Sequence, residues 1–116
     1  MRIALMSDIH GNREAFAACL EHAAQNGIER YVFLGDYAGY GADPGWVIDT
    51  VRARVADGAV AVLGNHDAAA AANRTAGMND VAAAACEYVR DAVSHRPGTH
   101  HSHLLYLHTV GLNQNV

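Results

Sequence analysis

A chain of 116 residues is long enough for one compact domain with a core of its own and too short for two. With 51% hydrophobic and 17% charged residues it has the composition of a soluble globular protein, and no apolar run approaches the roughly 20 residues that a membrane helix needs. Net charge is −4, every basic residue is an arginine and none forms a basic run, so the electrostatic footprint of a duplex nucleic-acid binder is missing.

The chain opens on an apolar stretch, Arg2 to Met6, short and rich enough in β-formers to be a buried strand. Acidic Asp8 follows at once, where a signal peptide would continue its apolar region, so a cytoplasmic location is expected. After the polar turn Ser7-Asp8-Ile9-His10-Gly11-Asn12, Asn12 is placed to cap a helix. Phe16, Leu20, Ala23 and Ala24 recur at helical spacing from Arg13 to Asn26, Glu14 sits in the first turn, and Gly27 supplies the stop. Tyr31 to Leu34 is a second buried strand, followed by the glycine-rich loop 35–41. Asp43-Pro44 predicts a cap with proline at the first helical position, and Val47, Ile48, Val51 and Val55 trace the face of that helix.

Gly58 ends it, Ala59 to Leu63 reads as a third buried strand, and Gly64-Asn65-His66-Asp67 as the loop after it. Alanines 68–72 favour helix, whereas Gly77 and two asparagines in 73–79 do not. Asn79 caps a third helix through Val93, with Ala82, Ala85, Cys86, Val89 and Val93 inward. Cys19 and Cys86 fall at alanine-rich helical positions without a second cysteine nearby, which predicts buried free thiols. Strand and helix alternate, the pattern of an α/β fold with a parallel sheet of three to four strands. The alanine-rich style stops at Ser94; His95 to His103 reads as a polar loop, Leu104 to Leu107 as a fourth strand, and 113–115 as a frayed end. Five of the eight histidines stand in the last 22 positions.

In an open parallel sheet, side chains placed just after successive strands converge on one crevice. Here they are Asp8 and His10 after the first strand, Asp36 after the second, and Asn65 and His66 after the third. Asp8 and His10 are two apart, hence on the same side of an extended segment. Taken singly, Asp8 could cap a helix, His66 could be a satisfied loop histidine and Asn65 a turn former. Jointly, three strand ends that each offer ligand-type groups beside a glycine point to a metal centre. Carboxylate, imidazole and amide oxygen suit Mn, Zn, Fe or Mg, and a two-metal cluster needs one bridging carboxylate, for which Asp36 on the central strand is the natural choice.

Asp8-Ile9-His10, Gly35-Asp36 and Gly64-Asn65-His66-Asp67 resemble the D-x-H, G-D and G-N-H-D blocks of the calcineurin-like metallophosphoesterases, and their extended forms look most like the small bacterial and archaeal single-domain branch. The resemblance implies a four-layer αββα sandwich, incomplete in a chain of this length, and two divalent metal ions acting on a small phosphate-ester substrate. It would make Asp8 and His10 ligands of the first metal, Asp36 the bridge, Asn65 a ligand of the second, and His66 the group that contacts phosphate and protonates the leaving group. A metal-activated hydroxide would attack phosphorus in line. Asn12, Gly39 and Tyr40 are the candidate substrate contacts.

The family's late histidine blocks are not present in full. Leu104 to His108 resembles the first of them, making His108 a candidate fifth ligand; Thr99 to His103 is an echo of the second, G-H-T-H, but precedes the candidate strand. The chain therefore divides into 1–94, the N-terminal part of the phosphoesterase domain, and 95–116, a His-rich tail. That tail is read first as truncated or frameshifted, with a rebuilt metal site or a separate metal-sequestering segment as the other readings. A weak or inactive phosphoesterase follows on the first reading, and a non-catalytic remnant serving as a metal-binding or interaction module is the alternative. Either way an exposed sheet edge is expected to favour homo-oligomers.

Overall fold

The structure, a computed structural model, describes residues 1–94. Seven elements follow one another: β1 (Ile3–Met6), α1 (Arg13–Gln25), β2 (Arg30–Phe33), α2 (Pro44–Ala56), β3 (Val60–Ala61), α3 (Asn65–Ala72) and α4 (Asp80–Ser94). The strands form one parallel sheet in the order β1-β2-β3, with Met6 paired to Phe33 and Phe33 to Ala61. The α/β class and the central place of β2 are as expected, so Asp36 does follow the middle strand.

Asn12 caps α1 by accepting the Ala15 amide at 3.0 Å, and Asn79 caps α4 by accepting that of Ala82 at 2.9 Å. Asp43 holds the cap position of α2 with Pro44 behind it, but its side chain makes no capping bond. The Gly64–Asp67 block is not the loop expected from its polar residues. Asn65, His66 and Asp67 form the first turn of α3, and the alanines after them supply the helix propensity that carries it to Ala72. Asn73 closes it in the left-handed conformation at φ 54°.

The helices pack on one face of the sheet. Phe33 and Tyr37 are fully buried there with Val47, Ile48 and Val51 of α2 and Val89 of α4, and Phe16 of α1 meets Phe33 edge-on at 5.8 Å. Each such side chain contributes about 1.5–3 kcal/mol by leaving water. The opposite face is open: Leu5 is 66% exposed and Val60 54%. The expectation that β1 and β3 are buried strands therefore holds for one face only, because among the described residues no layer covers the other. Of the expected sandwich, the described residues form one helical layer and one sheet.

Two smaller expectations are corrected. Cys19 is exposed, because α1 turns only the stripe Phe16, Leu20 and Ala23 inward, and Ala24 falls outside that stripe as well. Cys86 is buried, and its thiol pKa is raised, first by burial and then by the charges of Asp67 and Asp36. The fourth strand, His108 and the rest of the tail lie outside the described residues. Among those described, no helix is long and apolar enough to cross a membrane.

Candidate metal centre

The loops after β1 and β2 are tied to each other by a short ladder: the Asp8 amide donates to Gly35 O at 3.1 Å, that of His10 to Asp36 O at 2.8 Å, and that of Gly11 to Tyr37 O at 2.8 Å. To make these bonds the backbone leaves the extended conformation. Asp8, His10 and Asp36 have φ of 55°, 48° and 55°, and Tyr40 has 58°. The alternation argument for placing Asp8 and His10 together was thus wrong in its premise: two left-handed residues, not a straight strand, turn both side chains to one point. Aspartate and histidine tolerate this region; a tyrosine there is a genuine outlier.

Asp8, His10 and Asp36 each bring a ligand atom to within 4.8 Å of the others. Two donors bound at about 2.1 Å to one cation can be at most about 4.2 Å apart, so a closure of about half an ångström, or a pair of cations, matches the group. The tautomer of His10 also fits. Its Nδ1 lies 3.0 Å from Ala38 O, which can only accept, so Nδ1 carries the proton and Nε2 the free lone pair. That Nε2 is 3.5 Å from Asp8 Oδ1. The Ser7 hydroxyl donates to Asp8 Oδ2 at 2.5 Å and is the main cause of an Asp8 pKa below the ordinary value; desolvation opposes it and His10 assists. Asp36 Oδ1 accepts the His66 amide at 3.0 Å, and a carboxylate's remaining lone pairs are enough to meet cations. The donor set fits divalent cations.

His66 stands beside this group, its ring 5.0 Å from that of His10 and 5.0 Å from that of Tyr40. Its Nδ1 is buried and has no hydrogen-bond partner among the described residues. With Nδ1 enclosed, a substrate would meet this ring at Nε2. Gly39 makes the packing possible: at φ 93°, any Cβ there would lie 2.9 Å from His66 Nδ1 and 3.4 Å from His10 Nδ1. Gly64 is packed more tightly still, since a Cβ there would overlap the Asp36 carboxylate and backbone nitrogen.

Asn65, exposed at the first position of α3, lines a neighbouring cleft with Ala68 and Met78. Asn12 spends its side-chain oxygen on capping α1, yet it lines, with Asp8, His10, Glu14, Tyr40 and Asp43, an open cleft of about 410 Å³ that leads away from the ligands.

Asp67 is the functional residue that sequence reasoning missed. Fully buried, its carboxylate accepts the amides of Ala38 and Gly64, both at 3.0 Å, and so clamps the glycine-rich loop to the start of α3. Burial raises its pKa from 3.8 to about 6, against the lowering effect of the two amides. The available signal was an acid at the third position of a helix opening on glycine, where it can reach back to the cap amide.

The model of the calcineurin-like phosphoesterases matches residues 1–113. Over 65 residues the chain is 42% identical to the protein MJ0912 of Methanocaldococcus jannaschii, covering 56% of this chain and 26% of that one. It superimposes on the crystal structure of a metallophosphoesterase from Sphaerobacter thermophilus with a TM-score of 0.72 and 31% identity, over 95% of this chain and 41% of that one. The chain thus spans less than half the length of either relative. With the match running over nearly every residue and the strand-end ligands converging as described, the chain belongs to the calcineurin-like phosphoesterase family.

Proposed function

We propose that this chain is a metal-dependent phosphoesterase, hydrolysing phosphomonoesters or phosphodiesters, with Asp8 and His10 on one cation, Asp36 bridging to a second, and Asn65 a ligand of that second ion. The observation that carries the reading is the convergence of Asp8, His10 and Asp36 within 4.8 Å, with the His66 ring 5.0 Å from that of His10. When bound, divalent cations supply charge for the phosphoryl oxygens and acidify water for attack. The chain's own residues do the rest. Ser7 keeps Asp8 ionised, Ala38 O keeps the His10 lone pair on Nε2, and Asp36 holds the backbone of His66. His66, acting as the imidazolium, would give its Nε2 proton to the departing alkoxide and be left as the neutral ring. The test is hydrolysis of p-nitrophenyl phosphate and bis-p-nitrophenyl phosphate with Mn²⁺, with Asp36→Asn as control; turnover surviving in Asp36→Asn would remove the assignment.

The ligand count favours a second reading, a metal-binding module with little or no turnover. Among the described residues one group of three His or carboxylate ligands is found. A cation held by so few protein groups keeps extra waters and is poorly fixed, which harms turnover more than binding. Metal binding without hydrolysis in the experiment above is its signature.

A further inference from the structure

Tyr40 occupies a position that the fold does not favour for it. It lies between Gly39 and Gly41 in a loop pressed against the β1 loop, where the Gly41 amide donates to His10 O at 2.7 Å, and its own φ is 58°. A left-handed backbone costs an ordinary residue roughly 1–2 kcal/mol, which glycine would avoid. Nor is the ring there to fill the core, since Tyr40 is 51% exposed. What the position provides is an aromatic surface at the metal group: the ring stands 5.1 Å from the His10 ring, edge-on at 71°, and 5.0 Å from that of His66. From there it forms one wall of the 410 Å³ cleft that starts at Asp8 and His10. Glu14 and Asp43 line the same cleft. Their carboxylates disfavour a leaving group with further phosphates, while a neutral flat ring meets no such penalty.

We infer that Tyr40 is the platform on which the leaving group of the substrate stacks, and that the preferred substrates are phosphate esters whose alcohol carries a flat ring, such as nucleoside monophosphates. This rests on the phosphoesterase reading above. The phosphate end is held at the Asp8–His10–Asp36 group, the ester oxygen lies toward His66, and the base or aryl ring extends over Tyr40 into the cleft. Stacking is indifferent to which base is offered, because every base has a π-face; the selection is for a ring over an open sugar or alkyl alcohol.

The test uses the Mn²⁺-loaded 116-residue chain, titrated calorimetrically with adenosine 5′-monophosphate and with ribose 5-phosphate, which share the phosphate and sugar and differ in the base. Wild type is expected to bind the nucleotide more tightly by roughly 5- to 150-fold, the range that loss of one stacking aromatic removes. Tyr40→Gly, which relieves the backbone and keeps the fold, should lower nucleotide affinity to that of ribose 5-phosphate and leave the latter unchanged; Tyr40→Phe should retain the preference. Equal wild-type affinity for the two ligands, or a preference that survives in Tyr40→Gly, overturns the platform and leaves the phosphoesterase reading standing. Binding of Mn²⁺ with neither phosphate ester bound overturns both.

Discussion

The Asp36 carboxylate accepts the backbone N–H of His66 at 3.0 Å, so the proposed bridging ligand and the proposed proton donor are placed by a single bond across 30 residues. The consequence is that neither can shift alone. Asp36→Asn exchanges the charge for an amide that can keep the bond to His66, and should leave the fold intact. Affinity for Mn²⁺ or Zn²⁺ is expected to fall by at least roughly 10-fold, since even outer-shell losses cost 10- to 100-fold. Calorimetric titration of both proteins decides it; equal affinities would remove Asp36 from the centre.

His66→Gln tests the proton. Turnover should drop by roughly 10²- to 10⁴-fold for alkyl esters, the usual contribution of general acid catalysis, with metal content near normal. For p-nitrophenyl esters the loss should be smaller, because p-nitrophenolate leaves without protonation. A loss that is uniform across leaving groups would mean that His66 positions the phosphate instead.

Asp67 predicts a pH dependence of stability in the metal-free chain. Its folded-state pKa, about 6, lies above the ordinary 3.8, so between these values the folded chain holds a proton that the unfolded chain has released. Stability from this group is complete below about pH 3.8 and is lost as pH rises to about 6, by roughly 3 kcal/mol at 1.36 kcal/mol per pH unit. Asp67→Asn does not titrate. The stability of wild type relative to this variant, from urea unfolding in chelator, should therefore decline across that window and be flat above it. Parallel profiles would contradict the burial penalty.

Gly64→Ala isolates steric fit. The Gly64 backbone, at φ −89°, accepts alanine without strain, so any effect comes from the new methyl meeting Asp36, both its carboxylate and its backbone nitrogen. Overpacking of this kind costs about 1–3 kcal/mol, and displacement of Asp36 should weaken Mn²⁺ binding in the same variant. A lower melting temperature with unaltered metal affinity would show that the carboxylate gives way without losing its place.

Much of this architecture was legible in the residues themselves. Phe16, Leu20 and Ala23 at helical spacing marked the inner stripe of α1, Asn12 and Asn79 marked two helix starts, and Asp8, His10 and Asp36 after the first two strands marked the group that the fold brings together. What stayed hidden is set by partners distant in sequence. The left-handed turns at Asp8 and His10 exist because their amides reach Gly35 and Asp36. The role of Asp67 depends on Ala38, 29 residues earlier. The opening of the Leu5 face depends on which layer covers the sheet, which no strand can report about itself.

The left-handed turns at Asp8, His10 and Asp36 also bear on the kinetics of metal loading. Because a ladder of backbone bonds holds these residues in position, the candidate ligands lie within about half an ångström of closing on an ion before it arrives. Capture is then an exchange of water for protein donors on the ion, with no chain rearrangement to wait for. Loading rates should accordingly rank cations by how readily each sheds its hydration shell, leaving Mg²⁺, which dehydrates reluctantly, among the slowest to enter.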